Sequence, residues 1–531
     1  MFRKVVLLTL FLHVFSCLPA QKFTFWVAFA DKKNSPYSLD DPLCFLSERA
    51  LQRRERQGLS LDESDLPVTP AYIDSLTEAG TTLLGTSRWL NGATVQMNDT
   101  VGVLKKIRRM SFVSSVQLTK TEETSTTSVS TKKKLLQSRS ETVDSAFRQN
   151  AMHELNRLHD LGFKGYGIHV AVLDAGFANV DILEAFDSLR INNRLLGVRD
   201  FVDASADVYR QHAHGLAVLS TMAANTPNVM VGAAPNASYW LLRTEDDATE
   251  SLSETDNWVR AIEFADSVGV DVVNSSLGYS TFDDTLTNFS YNDMNGRTAR
   301  ISLAATMAAR KGMLVVNSAG NDGNKSWHYV AAPADADSIL TVGGVYYSGV
   351  HCAFSSYGPT SDNRIKPTLC GVAYDAYVMG TAGDIYGSVG TSFASPIVAG
   401  AAACLWQALP QLTNMQLIDL LKANASQSAA PDNTLGYGIP NVYQAYCNVA
   451  LNTEEIDRTR FFVFPNPFTE VLKGYFPEQS EISIFDLKGR CLFASMAEGN
   501  FVLNTKAWQQ GVYLLRVKNK NGVIVEKIVK R

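Results

Sequence analysis

Three side chains of the types used in nucleophilic catalysis stand beside predicted strands and helices. Asp174 follows the apolar run 168–173, which places it at the carboxyl end of a predicted strand, where open parallel sheets hold their ligands. His214 and Ser392 each open an apolar segment of the kind that forms a buried helix. A carboxylate can orient a histidine, and a histidine can activate a hydroxyl as a nucleophile.

Each of these residues also has an ordinary structural interpretation when it is taken alone. Asp174 is typical of a turn cap, and Ser392 is typical of a helix N-cap. A single histidine at a helix start is more often structural, and His212 lies only two residues before His214. The catalytic hypothesis therefore depends on the combination of these residues.

A fourth segment adds a polar side chain at another strand end. The segment Ser318-Ala319-Gly320-Asn321 follows the strand-like run 314–316, and Gly320 and Gly323 permit a tight turn there. Such a turn can aim the Asn321 amide into a cleft. Ser392, at the start of its own predicted helix, also lies near unpaired backbone amides.

The region 147–450 that carries these residues has the pattern of a parallel sheet. Nearly continuous apolar runs recur at 168–173, 239–242, 270–273, 314–316 and 339–342, and each precedes a helical segment. Strands of this kind that alternate with helices predict an α/β fold, with a mostly parallel sheet and helices on both faces.

The N-terminal segment has the features of a secretory signal peptide at 1–20. Arg3 and Lys4 precede the apolar run 5–14, and small residues lie near Ala20, after which cleavage is expected. The run is too short for an ordinary transmembrane helix. A buried N-terminal strand is the alternative. No later run is long and apolar enough to predict a membrane span.

Two further regions flank the predicted sheet. Alternating apolar residues and charged helices predict a small α+β domain at 21–118. The following linker, 119–146, is almost wholly polar, and its lysines 132–134 offer a processing site, unless the linker is a spacer that is never cut. Alternating runs and the hairpin signal Asn521-Gly522 predict a small β-sandwich at 461–531.

The composition excludes several classes of protein. Of 531 residues, 46% are hydrophobic and 19% are charged, which argues against a chain disordered throughout. A net charge of −5 argues against a nucleic-acid binder. No cysteine pair has zinc-ligand spacing with a histidine and no calcium loop is evident, so neither a metal nor a cofactor is predicted. Four central cysteines allow three pairings, with Cys352–Cys370 the local candidate.

Taken together, the motifs resemble those of the subtilisin-like serine peptidases, or subtilases. The order Asp174, His214, Ser392 is the order of that family, and the resemblance covers roughly 166–443. Its most specific segment is Gly390-Thr391-Ser392-Phe393-Ala394-Ser395-Pro396. The resemblance implies a subtilisin-like sheet between a small α+β prodomain and a small β-sandwich.

The chemistry that this resemblance implies is acyl transfer. Ser392 Oγ attacks the scissile carbonyl, His214 moves the proton, and Asp174 orients the imidazole. The Asn321 amide and the Ser392 backbone N–H are expected to hold the oxyanion.

The resemblance also assigns the substrate-binding segments. Ser276, Leu277 and Gly278 form one of them, and Ser318, Ala319 and Gly320 form the other. Leu216 departs from the family pattern, which has threonine after the glycine that follows the catalytic histidine, so the packing around His214 is in question.

The flanking regions resemble companions of this family. The first, 21–118, is similar to a subtilase prodomain, which acts as a folding chaperone and inhibitor. The last, 461–531, is similar to the C-terminal sorting domain of the type IX secretion system of Bacteroidetes. That similarity implies export through the periplasm to the outer surface or the medium, with the secretion machinery as a partner.

The leading hypothesis is a secreted serine endopeptidase, made as a zymogen, that acts on protein or peptide substrates as a monomer. A non-catalytic surface protein that binds peptides is one alternative. A hydrolase of the same fold that acts on esters, or only on its own linker, is the other.

Overall fold

The computed structural model describes residues 21–122, 145–451, 462–464, 466–520 and 522–531. The predicted signal peptide lies outside the described residues, and so does the linker stretch 123–144 with its three lysines. The chain divides into two compact units, one running to Val442 and one comprising 157–162 with Tyr443–Arg531. Among the described helices, none combines the length and apolar character that crossing a bilayer requires.

The N-terminal part of the first unit is an antiparallel sheet of order β2-β3-β1-β4 with three helices. Its elements are β1 Lys22–Phe29, α1 Glu48–Arg56, α2 Pro70–Glu78, β2 Thr82–Ser87, β3 Gly92–Met97, α3 Gly102–Ile107 and β4 Val113–Glu122. Phe25, Val27 and Phe29 point into its core. Trp26 on the opposite face is also buried, because the Arg300 guanidinium of the following region lies 5.1 Å from its ring centroid.

Strand β4 extends into the predicted linker. The sequence predicts the end of the prodomain at residue 118, whereas β4 continues to Glu122, which pairs with Lys22 of β1. The residues 119–122 are polar, yet backbone pairing with β1 does not depend on apolar side chains. The following helix α4 begins at Ser145, close to the predicted start of the next region at 147.

The central region contains a seven-stranded sheet within the described residues, of order β13-β12-β11-β10-β5-β9-β6, with every pairing parallel. The sheet strands are β5 His169–Asp174, β6 Leu195–Asp200, β9 Ser238–Arg243, β10 Val272–Ser275, β11 Leu314–Ser318, β12 Leu340–Val345 and β13 Leu369–Val372. Two small hairpins lie outside this sheet, one of β7 Asn225–Thr226 and β8 Met230–Val231, the other of β14 Tyr374–Met379 and β15 Ile385–Val389. The predicted α/β fold is confirmed. The five apolar runs correspond to inner strands, whereas the pattern missed both edge strands. Strand β6 is half-exposed, and β13 is buried but only four residues long.

Helices pack on both faces of this sheet. The described helices that follow β4 in the chain are α4 Ser145–Ala151, α5 Leu155–Asp160, α6 Asp187–Ile191, α7 His214–Ala223, α8 Leu252–Ser267, α9 Arg300–Arg310, α10 Thr391–Ala408, α11 Asn414–Ala423 and α12 Val442–Leu451. Helices α8 and α9 pack on the face that presents Leu173, Val273 and Val315. Helix α10 packs against the other face, and α7 lies beside it.

The second unit has an antiparallel sheet of five strands within the described residues. They are β16 Phe462–Phe464, β17 Val471–Asp486, β18 Cys491–Asn504, β19 Gly511–Asn519 and β20 Gly522–Lys530. A register shift between Phe476 and Ser480 divides β17, so that its first half pairs with β16 and its second half with β19. Side chains from both halves, including Leu472 and Ile484, share one apolar core.

Candidate active site

The structure brings Asp174 and His214 together at the carboxyl edge of the sheet. Asp174 ends β5 and is fully buried, and His214 is the first residue of α7. The distance from His214 Nδ1 to Asp174 Oδ1 is 2.8 Å. Because a carboxylate only accepts, Nδ1 carries the proton and Nε2 keeps its lone pair when the imidazole is neutral.

Two glycines allow this close approach of α7 to β5. A Cβ added to Gly215 would lie 2.2 Å from Gly176 O and 3.0 Å from the Asp174 Cβ, which is closer than atoms can pack. Gly176 has φ +155°, and a Cβ there would lie 2.4 Å from His212 N. The motif around the histidine therefore needs glycine for space.

His212 and Leu216 have structural places beside the pair. His212 Nδ1 accepts a hydrogen bond from the His214 backbone N–H at 3.1 Å, so it caps the start of α7. The Leu216 side chain is fully buried. The departure from the family pattern at Leu216 leaves the contact between Asp174 and His214 intact.

Ser392 lies in the first turn of α10, directly before Phe393, whose ring lies near that of His214. The ring centroids of His214 and Phe393, the next residue along α10, are 5.9 Å apart. The Ser392 hydroxyl donates to Ser276 O at 3.4 Å, a long hydrogen bond. Gly390, just before the helix, has φ +153°, a conformation that L side chains rarely adopt. This turn presents Ser392 at the same edge of the sheet as His214.

The Asn321 side chain is held in one orientation by Thr391. Asn321 Oδ1 accepts from the Thr391 backbone N–H at 2.9 Å and from Thr391 Oγ1 at 3.0 Å. Its Nδ2 group therefore faces away from these donors, and a Cβ on Gly390 would lie 3.7 Å from it. Thr391 was not singled out from the sequence, although its position directly before Ser392 could have drawn attention to it.

The two predicted substrate-binding segments lie at the ends of neighbouring strands. Ser276, Leu277 and Gly278 begin at or follow the end of β10, and Ser318, Ala319 and Gly320 do the same for β11. The Asn317 amide joins them, donating to Leu277 O at 3.0 Å and to Ser318 O at 2.8 Å. A Cβ on Gly278 would be 3.6 Å from the Ala331 side chain.

The prodomain-like sheet reaches this edge through its last strand. Lys120 Nζ of β4 lies 3.0 Å from Asp246 Oδ2, in the loop that follows β9. In the same loop, the Thr244 backbone N–H donates to Asp174 O at 3.0 Å. The chain that follows β4 therefore starts beside the loop that contacts Asp174.

A buried cluster of charges joins the same domain to α8. Asp266 accepts hydrogen bonds from Arg53, Arg54 and Arg88, and all four residues are buried or nearly so. These arginines hold the Asp266 pKa at about 2, against the desolvation that burial imposes. One turn earlier, Glu263 accepts from Ser87 and from the backbone N–H groups of Arg88 and Trp89.

The structure also groups three glutamates that the sequence reading did not select. Carboxylate oxygens of Glu245, Glu250 and Glu254 lie within 4.8 Å of one another. An acidic group alone does not identify a metal site, and the expectation of no metal stays a prediction.

The six described cysteines are all thiols, so the candidate pairing of Cys352 with Cys370 is absent from this structure. Burial raises the pKa of the Cys352 thiol to about 12.

Comparison with known proteins identifies the family. Residues 165–438 match the model of the Subtilase family, Peptidase_S8. The chain belongs to the subtilase family. Subtilisin NAT of Bacillus subtilis subsp. natto is 32% identical over 278 residues, which cover 51% of this chain and 63% of that protein. Subtilisin of Bacillus pumilus is 31% identical over 297 residues, covering 54% of this chain and 94% of that one. This subtilase thus spans less than two thirds of the first relative.

A solved structure and two further family models complete the comparison. The structure of MycP1 with the N-terminal propeptide removed is 24% identical, with a TM-score of 0.44, and covers 56% of this chain and 97% of that one. Residues 24–136 match the Peptidase S8 propeptide domain of Bacteroidota, and residues 462–531 match the secretion system C-terminal sorting domain. Both predicted companions of the subtilase are confirmed. Together they indicate export to the cell surface or beyond.

Proposed function

We propose that this subtilase is a secreted serine endopeptidase, made as a zymogen, that hydrolyses peptide bonds through an acyl-enzyme on Ser392. The observation that supports it most is the hydrogen bond from His214 Nδ1 to the buried Asp174, at the sheet edge where α10 presents Ser392. The family resemblance supplies the reaction and the residue roles, and this geometry supports the assignment of Asp174 and His214.

In the proposed mechanism, Ser392 Oγ attacks the scissile carbonyl while His214 Nε2 removes its proton. The imidazolium then protonates the leaving amine, and water repeats both steps to release the acid. Asp174 keeps the proton on Nδ1 and stabilises the imidazolium charge.

The tetrahedral intermediate carries a negative oxygen that needs donors already in place. Asn321 Nδ2 is assigned to this role because Thr391 holds Oδ1 of the same amide. The Ser392 backbone N–H is the second donor. Fixed donors stabilise the oxyanion without reorganisation cost.

Protein or peptide substrates are expected to bind as an extended strand. The backbone of 276–278 and of 318–320 would provide main-chain hydrogen bonds on either side of the chain. These steps require no cofactor. The proposed residues all come from one compact unit, so a monomer suffices for catalysis.

The zymogen form would end with a cut in the linker. The sequence places this cut between about 118 and 144. Because β4 is paired with β1 up to Glu122, we place the cut after that residue. N-terminal sequencing of the active enzyme tests this, and an active form that begins at Gln21 would contradict it.

The activity itself is tested with a fluorophosphonate probe that labels activated serines. The exported protein should be labelled and should degrade casein, whereas Ser392→Ala should abolish both signals and His214→Ala should abolish turnover. Labelling no stronger than that of Ser392→Ala would reject the proposal.

Two alternatives remain distinct in the same experiments. A non-catalytic peptide-binding protein, the alternative that Leu216 raised, would bind peptides without turnover. A hydrolase of esters would cleave ester substrates but not matched peptides. A hydrolase restricted to its own linker would process itself and leave casein intact.

A further inference from the structure

Strand β10 and Ser276, the residue that follows it, present alternate polar side chains to two different helices. Asn274 and Ser276, which follow each other on one side, contact α10 through Ser395 and Ser392. Ser275, between them, faces α8, where its Oγ accepts from Trp258 Nε1 at 3.0 Å. All of these side chains are buried.

On the α10 side, three side chains form one continuous chain of hydrogen bonds. Ser395 Oγ donates to Asn274 Oδ1 at 2.8 Å, and Asn274 Nδ2 donates to Ser276 Oγ at 3.3 Å. Ser276 Oγ then donates to the backbone carbonyl of Ser392 at 2.8 Å. Every donor in the chain points toward Ser392.

The carbonyl at the end of this chain has lost its ordinary partner. In an α-helix the carbonyl of residue 392 accepts from the N–H of residue 396. Residue 396 is Pro396, inside α10, and proline has no N–H. The Ser276 hydroxyl supplies the donor that Pro396 lacks.

We propose that Ser276, Asn274 and Ser395 are positioning residues that lock the first turn of α10 and thereby place Ser392. Ser392 and Ser395 are three residues apart, so they lie on the same face of the helix, and the chain ties both to β10. A hydrogen bond to the carbonyl of Ser392 fixes the residue that carries both the nucleophile and an oxyanion donor. The inference rests on the proposed function, in which Ser392 is that nucleophile.

The first test removes each hydroxyl in turn and compares the effect on kcat with that of removing the neighbouring Ser275 hydroxyl. Ser276→Ala should lower kcat about tenfold, the rate cost of one lost hydrogen bond that orients the reacting group, with KM changed less than about twofold. Ser395→Ala should lower kcat less. The control is Ser275→Ala, which also deletes a buried hydroxyl of β10 and should lower the melting temperature while kcat stays within about twofold.

The second test returns the missing donor to the helix. Pro396→Ala gives residue 396 an N–H that can bond to the Ser392 carbonyl. In the Ser276→Ala background this change should recover most of the lost kcat. A loss in the double variant equal to the product of the two single losses would overturn the inference, because a role of Ser276 that does not act through the Ser392 carbonyl predicts no such rescue.

The outcomes separate this inference from the proposed function. If the unmodified protein is neither labelled nor active, the proposed function fails first. If it is active and Ser276→Ala matches Ser275→Ala in kcat, the positioning role fails and the proposed function stands. If Ser276→Ala does not fold, the labelling rate of the double variant Ser276→Ala, Pro396→Ala decides. A rate near that of the unmodified protein supports the inference, and a rate that stays low rejects it.

Discussion

The contact of α10 with the sheet and the contact of the propeptide with α8 differ in chemistry. Helix α10 is buried through residues such as Phe393, Ile397 and Leu405. The propeptide instead brings Arg53, Arg54 and Arg88 to Asp266, although Trp89 adds an apolar contact.

The difference is what a permanent and a separable contact require. In a permanent contact, apolar side chains are buried on folding and no later step returns them to water. Charged side chains regain hydration when two domains part, so neither surface is left with a large apolar patch. A charged contact therefore suits a domain that is to be released.

The largest expected effect concerns the packing of α7 on β5, next to α10 in the permanent part of the molecule. Gly215→Ala would force α7 away from β5, because its Cβ would lie 2.2 Å from Gly176 O. Loss of the bond between Asp174 and His214 should lower kcat about 10⁴-fold. Fluorophosphonate labelling rates measure this. The control is Ala217→Gly, in the same buried helix, which should cost about 1 kcal/mol of stability and leave labelling intact.

The sequence predicted the permanent part of this molecule far better than the separable part. Asp174, His214, Ser392 and Asn321 were singled out because strand ends and helix starts place them, and these features are local. The structure brings Asp174 and His214 into contact. Helix α1 was predicted simply as a charged helix. Its arginines are buried by Asp266, more than 200 residues away, and nothing local in the sequence marks such a partner. The two edge strands were missed for local reasons: β6 is half-exposed and carries a weak apolar pattern, and the buried β13 is only four residues long.

The next effect, in size, tests the charged contact. Asp266→Asn would remove the carboxylate that Arg53, Arg54 and Arg88 share, and among the described residues only Arg54 would keep a second one, Asp65. The expected cost is about 3–5 kcal/mol. Denaturant unfolding of the full chain in the Ser392→Ala background, in which processing is blocked, measures this. The control is Asp181→Asn, whose partner Arg210 is exposed, and this change should cost less than about 1 kcal/mol. If Trp89→Ala destabilised the contact and Asp266→Asn did not, the contrast drawn above would be wrong.

A smaller effect is the dependence of the propeptide contact on pH. The Asp266 pKa is held near 2, below its usual 3.8, so its contribution is present above pH 3.8 and is lost as the pH falls toward 2. Burial raises the Glu263 pKa above 4.5, so its penalty grows as the pH rises through the raised value. The stability of the full chain should therefore be highest at about pH 4 to 5 and should fall both at lower and at higher pH. Glu263→Gln should flatten only the alkaline side, and an unchanged profile would contradict this assignment.

The smallest effect concerns the ion pair between Lys120 of the propeptide and Asp246, in the loop beside the candidate active site. Lys120 and Asp246 are about one-fifth exposed, so Lys120→Ala should cost at most about 1 kcal/mol. Salt screens partly exposed charges but hardly reaches buried ones. Raising the ionic strength should therefore erase the difference between Lys120→Ala and the unmodified contact, and leave the effect of Asp266→Asn in place. Equal salt sensitivity of the two variants would show that the Asp266 cluster is hydrated, and a hydrated cluster would not distinguish the propeptide contact from an ordinary surface.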